Sequence, residues 1–255
     1  MERRDQQRPN LAHSTYPTFN SGADGQRGRS SEQLEFLSSW QTRISRRAQD
    51  NQALFSNLMK HINRETLREA YKALDGSKAL GADQISKAIY GKSLQANLED
   101  LEQRIQEGSY RPLPKREVLI PKSNGKTRPI AIASFEDKLV DWVVGKTLEN
   151  LYEPLFIRNN FGYRKRKSAH DAVNACYCSL EKNDRPHVVE IDFSKFFNTI
   201  PHGRMIKILQ QRIADKRFLG LIRQILKEEM ATQEGTILPC ETGTPQGGIS
   251  TPRTQ

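Results

Sequence analysis

A single carboxylate interrupts an apolar run in the segment VVEIDFSKFFNTIPH, residues 188–202. Asp192 follows Val188, Val189 and Ile191, whose types are typical of a buried strand. A buried charge without a partner costs several kcal/mol, so we expect this side chain to meet a cation, a cage of hydrogen-bond donors or solvent. These residues alone leave two roles open: binding a cation, or accepting backbone N–H groups in the turn after the strand.

Two cations flank a predicted tight turn in the segment IPKSNGKTRPI, residues 120–130. Apolar alternation on both sides predicts two strands, and the dipeptide Asn124-Gly125 is typical of the turn that joins a hairpin. Lys122 and Arg128 stand six residues apart across this turn. Such a hairpin could present two positive charges to a triphosphate.

Two further segments combine residue types that suit contact with a nucleic acid. The segment NNFGYRKRKSAHDAV, residues 159–173, places aromatic residues beside bases, as a surface that stacks and neutralises nucleic acid would. The segment GTPQGG, residues 243–248, offers Gln246 as an uncharged hydrogen-bonding side chain beside glycines that allow a close backbone approach. A basic run can also be a plain solvated face, and that alternative stays open for each run taken alone.

The overall charge favours a polyanionic partner. The chain has 255 residues with 40 Lys and Arg against 30 Asp and Glu, which gives a net charge of +10 and a pI near 9.6. Its apolar runs stay short of the roughly 20 residues that span a membrane, and its basic N-terminus lacks the apolar stretch of a secretion signal. We therefore expect a cytoplasmic protein without membrane contact, whose three cysteines are reduced and structural.

The elements that must position these segments fall into three predicted regions. They are a flexible polar arm over residues 1–50, a helical extension over residues 51–110 and a mixed region over residues 111–255. The predicted elements begin with one or two amphipathic helices through Leu54, Leu58, Ile62, Leu67 and Leu74, with a break near Asn63, followed by a helix from Ser93 to Gly108 and the two hairpin strands. Next come a helix from Phe135 to Leu151, a helix from Ser168 towards Leu180 that a capping box opens, and a buried strand from Val188 to Phe193. Helices around Met205–Ile213 and Phe218–Met230 follow, and a strand with a Gly-rich turn comes last. This order has no regular βαβ alternation and favours the α+β class.

Taken together and in this order, the four segments resemble the reverse transcriptases encoded by bacterial group II introns. The resemblance covers roughly residues 54–252. It implies an RNA-directed DNA polymerase with a right-hand polymerase fold, in which residues 111–255 form the fingers and an incomplete palm. It also implies the partners of such an enzyme: an RNA template, which we expect to be intron RNA, a DNA primer and deoxynucleoside triphosphates.

The resemblance implies a role for each residue around the lone carboxylate. Asp192 matches the first catalytic aspartate, which helps to hold two Mg²⁺ ions, and Phe193 would give its backbone carbonyl to a metal. Lys195 and Phe196 would offer backbone N–H groups to the triphosphate. Phe197 matches the bulky gate beneath the sugar, whose ring would clash with a 2′-hydroxyl, so that the product is DNA.

The other motifs receive roles in the same way. Lys122 and Arg128 match the fingers residues that clamp the triphosphate, and Gln246 matches a residue near the nucleotide and the template. The residues expected to bind template phosphates are Arg164, Lys165, Arg166 and Lys167.

The sequence departs from the family in one respect that bears on activity. The family carries a Tyr-x-Asp-Asp pair of carboxylates after the Gly-rich segment, and these 255 residues do not contain it. We expect this polypeptide alone to lack polymerase activity, unless a complementing C-terminal chain supplies the missing part. The alternative function is an RNA-binding, maturase-like remnant without polymerase activity, which needs no complete metal site.

Overall fold

A computed structural model describes residues 40–121, 125, 127–183 and 187–244. The α-helices are α1 Gln41–Ala48, α2 Arg64–Ala73, α3 Lys87–Gly91, α4 Leu94–Glu107, α5 Phe135–Tyr152, α6 Ala169–Asn183, α7 Phe196–Thr199, α8 His202–Gln210 and α9 Lys216–Leu226. The strands are β1 Lys115–Pro121, β2 Thr127–Ile132, β3 Met230–Ala231 and β4 Ile237–Leu238, and short 3-10 turns cover Met59–His61 and Glu153–Leu155. This mixture of helices and sheet confirms the α+β class. None of the described helices is both long and apolar enough to cross a membrane.

The described strands form a sheet of order β2-β1-β3-β4. Strands β1 and β2 pair in antiparallel fashion with Ile120 opposite Arg128, which confirms the predicted hairpin. Gly125 has a φ of 75°, a left-handed conformation that suits a glycine at the tip of the turn. Strand β3 pairs with β1 in parallel and with β4 in antiparallel fashion. The sheet thus joins the hairpin to the segment that follows α9.

Helix α5 lies at the centre of the hydrophobic core, as its apolar spacing predicts. Leu139, Val140 and Val143 are fully buried, and the Ser134 hydroxyl caps the helix by accepting the Asp137 N–H. Helices α1 and α2 both pack against α5. The core therefore connects the N-terminal helices to the element that directly follows the hairpin.

The predicted flexible arm over residues 1–50 is wrong at its C-terminal end. Trp40, Ile44 and Ala48 recur every four residues, and their side chains are buried against the core in helix α1. Residues 1–39 lie outside the described part of the chain. Arginines make up much of α1, and its apolar stripe is only one residue wide per turn, so the sequence pattern resembles that of a polar segment.

The helix predicted from Leu54 is also wrong, whereas its continuation after Asn63 is confirmed. Residues 51–58 are not helical, and Phe55 instead forms a parallel bridge with Ile213. The Phe55 N–H donates to the Arg212 carbonyl over 2.9 Å. Burial of these apolar side chains is therefore achieved in an extended segment, because a distant segment supplies the hydrogen bonds that a helix would have made.

The buried strand predicted from Val188 to Phe193 is not formed. The segment has no regular secondary structure, and Val189 and Ile191 are 81% and 74% exposed. An apolar run becomes a strand only when a neighbouring strand pairs with its backbone. Within the described residues no strand pairs with this segment.

Several end signals predicted from the sequence are confirmed. Helix α4 ends at Gly108, which has a φ of 77°. Before α6, the Ser168 hydroxyl accepts the Asp171 N–H over 3.1 Å, and the Asp171 carboxylate accepts the Ser168 N–H over 2.8 Å, which together form the predicted capping box. The three cysteines are free, but Cys176 is exposed, so its predicted structural role is wrong.

Candidate active site

Backbone hydrogen bonds hold the start of the Gly-rich segment against helix α7. The Thr244 N–H donates to the Phe197 carbonyl over 2.8 Å, and the Gly243 N–H donates to the Ile200 carbonyl over 2.7 Å. The His202 ring, which is buried, lies with Nε2 2.8 Å from the Gly243 carbonyl. Two motifs that stand more than 40 residues apart in the sequence are therefore in direct contact.

This contact requires a glycine at position 243. Gly243 has a φ of +80°, and a Cβ built there would lie 2.5 Å from the Phe197 carbonyl oxygen and 2.7 Å from backbone atoms of Asn198. We expect Gly243→Ala to lower the free energy of unfolding by about 3 kcal/mol, because strain and a backbone clash add together. Chemical denaturation followed by circular dichroism measures this change.

The matched control for this substitution is Gly235→Ala. Gly235 has a φ of +84° but open space around its Cβ position. Its replacement should cost about 1 kcal/mol, the price of the backbone conformation alone. Equal losses for the two variants would contradict the contact between Gly243 and helix α7.

The Phe197 ring also contacts the basic aromatic segment. The rings of Tyr163 and Phe197 meet edge to face, with 6.2 Å between centroids and 87° between planes. The Phe197 ring also meets the Phe196 ring, with 5.6 Å between centroids and 73° between planes. Phe197 is half-buried, whereas Tyr163 is 59% exposed. Because two edge-to-face contacts restrict the rotation of a ring, Phe197 can act as a fixed wall.

Arg164 is held inside the protein. Its guanidinium donates to the Glu153 carboxylate over 2.8 and 3.1 Å and to the carbonyls of Ile157 and Asn160 over 3.1 and 3.0 Å. Its side chain is 11% exposed and lies over the Phe156 ring. This geometry makes Arg164 the anchor of the loop between α5 and α6, so its predicted contact with template phosphates stays a prediction.

The remaining bases of this run are more open to solvent. Arg166 is exposed and has a φ of 59°, and the Lys167 ammonium lies 5.1 Å from the Phe161 ring centroid. The Lys165 ammonium lies 2.6 Å from a carboxylate oxygen of Glu149, although its side chain is 66% exposed. Arg166 and Lys167 are therefore the better placed of the predicted template ligands.

Asp192 lies in the exposed segment before helix α7. The carbonyl of Phe193, predicted as a metal ligand, accepts the N–H of Phe196, predicted as a phosphate donor, over 3.3 Å. Lys195 has a φ of 52° and precedes the helix. The metal-ligand roles of Asp192 and Phe193 and the phosphate-binding roles of Lys195 and Phe196 stay predictions.

The described residues offer one suitable ligand for a Mg²⁺ ion. A carboxylate oxygen such as that of Asp192 is the donor that this hard cation prefers. In the described part of the chain, however, no group of three or more His, Cys, Asp or Glu residues could hold a metal. The described residues alone therefore do not fit a two-metal site.

Of the other predicted nucleotide ligands, only Arg128 lies among the described residues. Arg128 is half-buried on strand β2 and has interactions within the protein. Lys122 and Gln246 lie outside the described residues. The structure therefore locates only the Arg128 part of the predicted clamp, on strand β2. The roles of all three residues stay predictions.

Three residues of this site were not predicted from the sequence. They are Tyr163, Glu153 and His202, which fix the Phe197 ring, the Arg164 guanidinium and the Gly243 turn, respectively. Glu153 gave no local signal, because its pairing with Arg164 depends on the path of the loop that separates them by eleven residues. Tyr163 carried no signal either, because its left-handed backbone is visible only in three dimensions.

Comparisons with known proteins give a consistent assignment. A family model described as reverse transcriptase (RNA-dependent DNA polymerase) matches residues 120–254, more than half of the chain. Protein YkfC of Escherichia coli K12 is 32% identical over 194 residues, which cover 74% of this chain and 51% of that protein. The group II intron-encoded protein LtrA of Lactococcus lactis subsp. cremoris is 30% identical over 213 residues, which cover 82% of this chain and 35% of that protein. An uncharacterized 91 kDa protein in the cob intron of Schizosaccharomyces pombe is 30% identical over 214 residues, or 82% of this chain and 26% of that protein. The chain thus spans about half the length of these relatives or less.

Proposed function

This chain belongs to the reverse transcriptase (RNA-dependent DNA polymerase) family, and we propose that it contributes the nucleotide-binding and template-binding part of a group II intron-type enzyme. The family resemblance of the four motifs is thereby confirmed. The observation that supports the activity best is the convergence on Phe197 of the Tyr163 ring and the backbone of Gly243 and Thr244. A sugar gate must be rigid, and here Tyr163 and Phe196 contact the ring of Phe197 while Thr244 holds its backbone carbonyl.

In the proposed arrangement the β1–β2 hairpin belongs to the fingers and residues 187–244 belong to the palm of a right-hand polymerase. Arg128, with Lys122 across the turn, clamps the triphosphate of an incoming deoxynucleotide. Phe197 excludes the 2′-hydroxyl of a ribonucleotide by its bulk. Arg166 and Lys167 neutralise template phosphates, which positions the RNA without reading its sequence.

The proposed chemistry depends on a metal site to which these residues make one contribution. When bound, two Mg²⁺ ions would supply the stabilisation of the attacking and leaving oxygens in an in-line displacement. Asp192 would hold one or both ions through its carboxylate. Since a single carboxylate cannot organise two ions, we propose that further polypeptide supplies the other carboxylates, and that the 255 residues alone do not extend a primer.

Binding and synthesis are tested separately. The 255-residue polypeptide should bind an RNA template annealed to a DNA primer, with an affinity that falls by about tenfold or more between about 50 and 200 mM salt in fluorescence anisotropy. The double variant Arg166→Glu, Lys167→Glu should weaken this binding. The double variant Lys72→Glu, Lys92→Glu, which changes the charge by the same amount at exposed positions on and beside the N-terminal helices, is the matched control.

Primer extension is then measured with the polypeptide alone and with a fusion that adds the part of the Lactococcus protein outside the matched region. We expect extension by the fusion only. Extension by the 255 residues alone would overturn the proposed incomplete site. Salt-sensitive RNA binding by a folded fusion that never extends a primer would instead support the maturase-like alternative.

A further inference from the structure

A fully buried pair of a lysine and a glutamate lies where strand β1 begins. The Lys115 ammonium is 2.9 Å from one carboxylate oxygen of Glu228, and the two side chains are 2% and 1% exposed. The Lys115 N–H donates to the Glu229 carbonyl over 2.7 Å, and the parallel pairing of β1 with β3 starts at this point. The pair therefore fastens the β1–β2 hairpin to the corner between α9 and β3.

Helix α5 adds two more carboxyl groups to the same buried region. Asp137 and Asp141 are 3% and 1% exposed. The Asp137 carboxylate accepts the Tyr110 hydroxyl over 2.5 Å, the Leu113 N–H over 3.0 Å and the Ser134 hydroxyl over 2.7 Å. The Asp137 carboxylate is therefore held by three donors outside the Lys115–Glu228 pair.

The cluster has more carboxyl groups than cations. With all three carboxyls ionised, one ammonium would face three negative charges in the protein interior. Burial raises the pKa of Glu228 to about 8, against the lowering effect of Lys115 and together with the raising effects of Asp141 and Asp137. The second carboxyl oxygen of Glu228, Oε1, is buried without a hydrogen-bond partner, which is costly for a charged group.

Two further titratable groups that face Glu228, the Tyr110 hydroxyl and the Cys240 thiol, stay neutral over the same pH range. Burial raises the pKa of the Tyr110 hydroxyl well above its usual value and also raises the pKa of the Cys240 thiol. Neither group can therefore take over the proton that Glu228 would release.

From this geometry we propose that Lys115 and Glu228 form a proton-dependent latch. While Glu228 is protonated, its carbonyl oxygen accepts from the Lys115 ammonium, and the cluster holds the start of β1 against the end of α9. Loss of that proton adds a negative charge to a buried cluster in which a single ammonium already faces the carboxyl groups of Asp137 and Asp141, and this loosens the hairpin. This coupling acts on folding, so it stands apart from the proposed polymerase activity.

The direction of the pH effect follows from linkage. A carboxyl group whose pKa is higher in the folded than in the unfolded chain stabilises the fold fully below the unfolded value and loses that contribution as pH rises through the folded value. For Glu228, with values of 4.5 and about 8, the equilibrium constant for unfolding should rise about tenfold per pH unit between about pH 5 and 7.5. Above about pH 8.5 the effect of this group levels off.

The variant Glu228→Gln keeps the shape of the protonated side chain and cannot ionise. We measure denaturant unfolding of the 255-residue chain from pH 5 to pH 9 and take the ratio of the unfolding constants of wild type and variant, which cancels the other titrating groups. This ratio should rise about a thousandfold across the range, since the unfolding constant of the wild type rises about tenfold for each of about three pH units and that of the variant lacks this contribution. The neighbouring exposed Glu229→Gln is the control, and its ratio should change far less across the range than that of Glu228→Gln.

A second measurement uses the wild-type chain and does not depend on the variant folding. The carbon-13 signal of the Glu228 carboxyl should titrate with a midpoint near pH 8. A midpoint near the ordinary value of 4.5, or a flat ratio for Glu228→Gln, would overturn the latch.

Discussion

Asp192→Asn should lower primer extension by the fusion enzyme by about a thousandfold or more, because a neutral amide is a poor ligand for Mg²⁺ and the substitution removes a negative charge from the metal site. Binding of the RNA and DNA duplex should stay unchanged, since the proposed contacts to the template come from Arg166 and Lys167. Extension is measured as single-turnover rates at saturating duplex and deoxynucleotide.

A structural explanation of such a loss is weak for this residue. Asp192 is exposed within the described residues, and Ile191 and Phe193 beside it are exposed as well, so the substitution disturbs little packing. Glu190→Gln removes the same charge from an exposed position in the same segment and provides the matched control. Equal rates for Asp192→Asn and wild type, or an equal loss in Glu190→Gln, would contradict the metal-ligand role.

Elements whose signals lie within a few residues could be predicted from the sequence. The hairpin needed only apolar alternation around Asn124-Gly125, and the start of α6 needed only the pair Ser168 and Asp171. Helix α4 ended where Gly108 could adopt a left-handed backbone. In each case the residues that form the signal also form the contact, so the local pattern decides the structure.

Elements that depend on distant partners could not be predicted in this way. The segment around Phe55 has the spacing of a helix, yet it lies extended because residues 212–214 pair with its backbone. The segment from Val188 to Phe193 has the residue types of a strand, yet in the described part of the chain it pairs with no other strand. Apolar spacing reports which side chains favour burial, whereas the conformation depends on which backbone groups are available as partners.

The residues of the candidate site also differ in whether a local signal or a distant partner determines their role. The identity of Phe197 and the Gly-rich segment followed from motifs, and their contact through Gly243 and Thr244 brings two of those motifs together. Arg164 was predicted to bind template phosphates, and in the structure its guanidinium donates to groups of the protein itself. The charge of a residue alone does not show which of these two roles it has. Only the position of Glu153 after α5 shows that this guanidinium already has an acceptor.

Asp215→Ala should lower the free energy of unfolding by about 4 kcal/mol, the largest stability loss that we expect for a single side chain. The buried Asp215 carboxylate accepts the N–H groups of Arg217 and Phe218 over 3.1 and 3.0 Å, which caps helix α9. Its second oxygen accepts the N–H groups of Leu58 and Met59 over 2.8 and 2.9 Å. One side chain thus ties the start of α9 to a segment more than 150 residues away, and alanine leaves four backbone donors without this acceptor.

The control for this loss is an aspartate whose hydrogen bonds are local and exposed. Asp75 accepts the N–H and hydroxyl of Ser77 over 2.9 and 2.8 Å in an exposed turn, so Asp75→Ala should leave the unfolding midpoint in urea nearly unchanged. A midpoint for Asp215→Ala close to that of Asp75→Ala would show that the four buried donors find other acceptors. Because hydrogen bonds from Leu58 and Met59 reach across the fold, the expected loss should also appear as faster hydrogen exchange at both of these amides and at Phe218, which a purely local capping effect on α9 would confine to Phe218.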